Sequence, residues 1–226
     1  MLVGKINKTN RTMKKIGLLL GIMLSAVVTF AQEEKTADQY KNEGNEYVRN
    51  KSYAQALASY REALKLWGDA VDTATVFNAG MCAQNVKDLD AALVYYKRSA
   101  DLGYKKAEAS YRIALIYKGQ KKEKEYLEAL NSGYENFKTG KTADLFAKEL
   151  GKYYRDKGNA IYKEAADIIA KTQTVTDAKQ MDKLKAQAKA KFMEAKPLIE
   201  KAIEIYPKDK NSKAILEGIE KNVASL

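Results

Sequence analysis

Among 226 residues there are 29 aspartates and glutamates, 40 lysines and arginines, one cysteine and no histidine. That inventory narrows the chemistry before any element is placed. Without histidine there is no ordinary proton shuttle near neutral pH, no Ser-His pair and no histidine-ligated metal. Two carboxylates can still run glycoside hydrolysis, but here Asp and Glu alternate with lysine as they do on solvated helix faces. No glycine-rich phosphate loop follows a strand, because no strand pattern is evident. The lone Cys82 allows no intrachain disulfide and lies in an apolar stretch, as buried filler would. What remains is recognition, in which ammonium, guanidinium and amide groups hold a partner through charge-assisted hydrogen bonds. The chain therefore reads as non-catalytic, with no cofactor or metal implied.

Those groups sit on a repeating frame. Tyr40, Gly44, Tyr47, Tyr53, Ala56, Tyr60, Ala63 and Leu66 are answered thirty-six residues later by Val76, Gly80, Ala83, Leu89, Ala92, Tyr96, Ser99 and Leu102. Large residues fall on large ones and small on small at nearly every step. Such a period marks a unit that cannot bury its apolar face alone and must stack on a copy of itself.

Apolar residues recur at three and four, and Gly, Asn and Asp mark the breaks, which makes the fold all-α. The pattern predicts helices over 36–50 and, past Asn50-Lys51-Ser52, up to Trp67-Gly68. A second pair spans 72–85 and 88–102, and a third, shorter pair spans 105–118 and 121–131. The repeats so defined run over about 37–70, 71–104, 105–134 and 142–207. In the last of these, the pattern predicts two helices over 142–171 and 178–206. Each is near 29 residues, about 43 Å at 1.5 Å per residue, so the pair projects as an antiparallel hairpin. Pro197 predicts a kink or break within it, and a helix over about 211–223 caps the stack.

The first thirty-one residues stand apart. Lys5, Lys8, Arg11, Lys14 and Lys15 precede an apolar run from Ile16 to Phe30 that closes on Thr29-Phe30-Ala31. This is the pattern of a secretory signal cleaved after Ala31, too short to span a bilayer. Met13 before Lys14-Lys15 is a second candidate start. Gln32 directly after a small residue resembles exported proteins of the Bacteroidetes group, so a periplasmic or otherwise exported location is expected. Removing 1–31 leaves 35 basic against 29 acidic residues, a surplus of six instead of eleven. With no block of five like charges, nucleic acid is not an expected partner. After cleavage no integral membrane segment is expected.

The small-large pattern resembles the tetratricopeptide repeat family, and Tyr95 to Gly103 also resembles its Sel1-like relatives. The first repeat matches almost fully at Tyr40, Gly44, Tyr47, Tyr53, Ala56, Tyr60 and Ala63. The third keeps Tyr117, Tyr126 and Ala129, and the fourth shows Tyr154, Gly158 and Asn159. The resemblance implies a right-handed α-solenoid of about four helix pairs plus a cap, binding a protein or peptide segment. In that family the first helix of each pair lines the concave side. Its groove would be formed by Lys41, Asn45, Arg49, Phe77, Asn78, Met81, Tyr111 and Arg112, with Glu108, Arg155 and Asn159 beside them. Phe77, Met81 and Tyr111 would supply apolar contact. Lys41, Asn45, Asn78 and Arg112 occupy four of the five places of the family's carboxylate clamp, and Glu108 stands where the fifth is normally lysine. The alternative is an assembly component that docks or self-associates through the 142–206 hairpin. Neither the partner nor the oligomeric state is encoded legibly.

Overall fold

A computed structural model describes residues 34–226, so the expected signal segment lies outside the described residues. Within them the chain forms α1 (Ala37–Arg49), α2 (Tyr53–Trp67), α3 (Thr73–Asn85), α4 (Leu89–Asp101), α5 (Lys106–Gly119), α6 (Glu123–Asn136), α7 (Lys141–Thr172), α8 (Ala178–Ile205) and α9 (Lys210–Ser225). Each helix packs on the next, and the longest interface joins α7 to α8. Among the described residues no helix is long and apolar enough to cross a membrane.

The starts follow from capping. Thr36 accepts from the Gln39 backbone N–H at 3.2 Å while its own N–H donates to Gln39 Oε1 at 2.7 Å, a complete capping box. Asp72, Asp88, Asp177 and Asp209 likewise accept from backbone N–H groups at the starts of α3, α4, α8 and α9. The turn inside each of the first three pairs places a lysine in left-handed backbone: Lys51, Lys87 and Lys121, at φ 57°, 67° and 57°. Lysine there is uncommon for a residue with a Cβ, and its recurrence shows that one turn is used three times.

Close helix crossings hold the stack together. A Cβ on Gly44 would lie 2.5 Å from the Tyr60 ring, and one on Gly80 would lie 3.0 Å from Tyr96. Glycine lets α1 and α3 approach the rings that α2 and α4 present. Both rings are fully buried, each worth about 1.5–3 kcal/mol by area. Apolar packing gathers in three clusters: around α1–α4, around α5–α7, and around the outer α7–α8 segment with α9. Cys82 belongs to the first cluster, where burial pushes its thiol up to about 11.

The third pair differs from its expected form. α6 runs on to Asn136 rather than stopping at Asn131, so the pair is as long as the others. Its helices start 33 or 34 residues after those of the second pair, instead of 36. The fourth residue of α2, α4 and α6 is therefore Ala56, Ala92 and Tyr126, and the eighth is Tyr60, Tyr96 and Leu130. Tyr126 thus occupies an alanine place rather than a tyrosine place of the repeat. The eleventh residue is Ala63, Ser99 and Gly133. Gly133 receives Phe146 of α7, whose ring would lie 2.1 Å from an added Cβ. Asn131-Ser132-Gly133 looks like a stop in sequence but is the seat of a packed ring.

Nor does Pro197 break α8, which is continuous from Ala178 to Ile205. The carbonyl deprived of its partner belongs to Met193, whose side chain is exposed, so that side of the helix faces water. Ala195 and Ile199, on either side of the proline, are fully buried in the outer cluster.

Candidate binding groove

The first helices α1, α3 and α5 meet the second helices at buried tyrosines whose hydroxyls carry polar groups from two repeats at once. Tyr60 Oη donates to Asn45 Oδ1 of α1 at 2.8 Å, and Asn78 of α3 lies beside the same hydroxyl. Tyr96 Oη donates to Gln84 Oε1 of α3 at 2.9 Å, and Arg112 Nη1 of α5 donates to that oxygen at 3.4 Å. Burial pushes both phenols up to about 12. They remain neutral donors at any physiological pH. At Tyr96 a side chain of one first helix is thereby tied to a side chain of the next.

Lys41, Asn45, Asn78 and Arg112 lie on this row, but most of their polar capacity is already engaged. Lys41 pairs with Asp72 at 3.5 Å and rests over the Trp67 ring. Arg112 donates to Glu108 Oε1 from Nε at 3.2 Å and Nη2 at 2.9 Å. Burial opposes the Arg112 charge, yet the Glu108 bonds outweigh it and raise the guanidinium pKa. Glu108, in the place expected for lysine, is thus the internal counter-ion of Arg112. Arg49 is exposed, and its charge is felt at the Tyr60 hydroxyl.

The apolar candidates divide. Phe77 is only 3% exposed. Its ring meets Tyr96 edge-on at 5.4 Å and Tyr104 at 6.1 Å, with Lys105 and Arg112 covering its face. It offers a partner no free surface, which corrects the expectation that it lines the groove. Met81 is half-buried against the first cluster, and Tyr111 packs edge-on against Phe146 at 5.3 Å. Farther on, Arg155 is turned to Asp209, ahead of α9, at 2.9 Å. That bond anchors the cap and takes Arg155 out of the row.

Sequence reasoning missed a cleft beyond the far end of the row. Lys118, Tyr126, Glu149, Lys152, Tyr153, Asp156 and Lys157 line a cleft of about 340 Å³ where α5, α6 and α7 meet. Tyr126 Oη donates to Glu149 Oε2 at 2.9 Å, and Lys118 binds the same oxygen. Burial opposes the Glu149 charge, but these two bonds prevail and hold its pKa low. Tyr153 Oη and Lys157 converge in the same way on Glu123, at 2.8 and 2.7 Å. The one available signal was Tyr126 at an alanine place, visible only once the 34-residue spacing is known. Among the described residues no group of acidic or cysteine side chains could hold a metal ion.

No family model matches the chain. Over 87 residues it is 37% identical to the Photosystem I assembly protein Ycf3 of Rippkaea orientalis, covering 38% of this chain and 50% of that protein. Over another 87-residue alignment it is 31% identical to sperm-associated antigen 1 of Rattus norvegicus, covering 38% of this chain and 10% of that protein. The matched stretch thus spans about half the length of the first relative and a tenth of the second. Among solved structures, a tetratricopeptide-repeat protein from Bacteroides fragilis superposes with a TM-score of 0.52 at 23% identity, covering 82% of this chain and 98% of that one. With its all-helical sequence of stacked pairs and close glycine–aromatic crossings, the chain has the fold of a tetratricopeptide-type solenoid.

Proposed function

We propose that the protein is a non-catalytic adaptor of the cell envelope that holds a partner's extended or helical segment along the row formed by α1, α3 and α5. The observation that carries this reading is the pair of buried tyrosines, Tyr60 and Tyr96, whose hydroxyls bond Asn45 of α1 and Gln84 of α3, the latter also held by Arg112 of α5. Amides and cations held in place lose little rotamer freedom on binding, so a segment laid across them meets a prearranged surface. Asn45, Asn78 and Arg112 orient the segment, Lys41 and Arg49 add charge at its start, and Met81 and Tyr111 supply apolar contact. Because Lys41 and Arg112 are already paired, a bound carboxylate has to compete with Asp72 and Glu108. That favours a segment read along its length over one gripped by its terminus. A relative named as an assembly protein supports an adaptor role.

The test is recovery of partners from native envelope extracts by the wild type beside a Lys41→Ala/Asn78→Ala/Arg112→Ala triple variant. Recovery should fall at least about tenfold, equivalent to about 1.4 kcal/mol, while circular dichroism shows the variant folded. Equal recovery by both proteins would remove the row from the reading and move the binding surface to the α7–α8 hairpin.

Export is part of the same proposal and is checked separately. Protein isolated from its native cells should begin at Gln32 by intact mass and fractionate outside the cytoplasm. A chain beginning at Met1 or Met13 in the cytoplasm would end the envelope assignment and leave the groove untouched.

A further inference from the structure

The third pair is the only one of the first three to place a bulky residue where α2 and α4 carry a fully buried alanine, and the cleft lies at that residue. α7 is admitted at Gly133, where Phe146 seats. It is held off at Tyr126, whose ring lies edge-on to Tyr153 with centroids 6.3 Å apart. Relative to Ala56 and Ala63 of the first pair, the fourth place has exchanged alanine for tyrosine and the eleventh has exchanged alanine for glycine. The opening between α5, α6 and α7 follows from that exchange.

Its chemistry is specific. The two tyrosine rings form the floor, and Lys118 and Lys157 lie over them at 5.4 and 5.7 Å. Their ammonium groups are committed to Glu149 and Glu123. Asp156 is committed to Arg155 at 2.9 Å. Lys152 is exposed, its charge reaches Glu149, and it has no ion-pair partner among the described residues. The lining thus has satisfied carboxylates, an aromatic floor and one uncommitted cation at its mouth. A cationic guest would have to displace Lys118 or Lys157. An acidic guest adds a partner for Lys152 and displaces nothing. About 340 Å³ lies at the lower edge of the roughly 300–1,000 Å³ typical of ligand sites, which suits one or two residues of a chain.

We infer that this cleft is a specificity pocket for an acidic residue of the partner segment, glutamate above all. Its methylenes lie beside Tyr153, the more exposed of the two rings, and its carboxylate meets Lys152. This deepens the groove reading and rests on it, since the pocket reads one position of a segment that the row aligns.

The experiment titrates 15N-labelled full-length protein with acetylated, amidated Glu-Leu-Glu-Leu and with its Gln-Leu-Gln-Leu counterpart at low ionic strength. The glutamate peptide should shift amides of Lys118, Tyr126 and the 149–157 turns of α7, and bind at least about fivefold tighter than the glutamine peptide. Lys152→Glu, a surface change that leaves the packing intact, should abolish that difference. Equal binding of the two peptides, an unchanged Lys152→Glu variant, or no shift at the cleft would each overturn the pocket. Shifts confined to Asn45, Asn78 and Arg112 would remove the pocket and leave the row standing. A failed partner-recovery test with cleft shifts present would do the reverse.

Discussion

Gly133→Ala is expected to destabilise the protein by about 1–3 kcal/mol through overpacking, and Phe146→Ala by about 3–5 kcal/mol through loss of a buried ring. The reason is one contact. An alanine Cβ at 133 would lie 2.1, 2.3 and 2.4 Å from three atoms of the Phe146 ring. That ring cannot swing clear, because it is fully buried, stacked on Phe137 at 5.8 Å and edge-on to Tyr111 at 5.3 Å. The two changes should also fail to add: once Phe146 is gone the alanine has room. The double variant is then expected to be more stable than the sum predicts by about 0.5–3 kcal/mol, the usual range for residues in contact. Urea unfolding of the four proteins gives all the terms of the cycle. A Gly133→Ala protein as stable as wild type would mean that α6 and α7 are not seated this way.

That contact also marks where sequence reading stops. Helix starts were legible because a capping group acts within three residues, as Thr36 and Gln39 do. The crossings at Gly44 and Gly80 were legible because each helix pair is local and its spacing repeats. The third pair was not, because its shorter spacing hides which residues are equivalent. Counting by thirty-six from Ala56 and Ala92 lands on Glu128, whereas the helix starts put Tyr126 at that alanine place. A glycine after Asn131-Ser132 signals a helix end unless one knows that Phe146, thirteen residues on, needs the space. Sequence carries the propensity to stop, and tertiary packing overrides it.

The geometry of the candidate row was half legible for the same reason. Position along the first helices named Lys41, Asn45, Asn78 and Arg112, and all four lie on the row. Much of their engagement could not be read, because Tyr60 for Asn45, Asp72 for Lys41 and Gln84 for Arg112 are remote partners; the pairing of Arg112 with Glu108, one turn away, is the local exception. Phe77 has the helical place that Lys41 has in the first repeat, yet Lys105 and Arg112 from the next repeat close over it. A groove position is therefore set by the neighbouring repeat as much as by its own. Among the polar residues, the useful sequence signal was the recurring tyrosine of the second helix, whose tip has to find a polar partner once its ring is buried.

Tyr96 allows the structural and the binding contributions of that signal to be separated. Tyr96→Ala should cost about 3–5 kcal/mol, as for other buried aromatic rings truncated to alanine, since the ring is fully buried, packs on Phe77 and fills the space beside Gly80. Tyr96→Phe keeps all of that packing and removes only the hydroxyl bonded to Gln84 Oε1. Its cost should be near 1 kcal/mol, because Arg112 still reaches the same oxygen. Thermal or urea unfolding distinguishes the two variants by a wide margin. A phenylalanine variant as unstable as the alanine one would show that the hydroxyl, not the ring, holds α3 to α4. The phenylalanine variant is also the cleaner probe of the row: with Gln84 and Arg112 no longer pinned at the tyrosine tip, partner recovery should fall although the fold is intact. If recovery is unchanged while stability drops as expected, the tyrosine tips only brace the stack, and the prearranged surface argued from them is not what the partner uses.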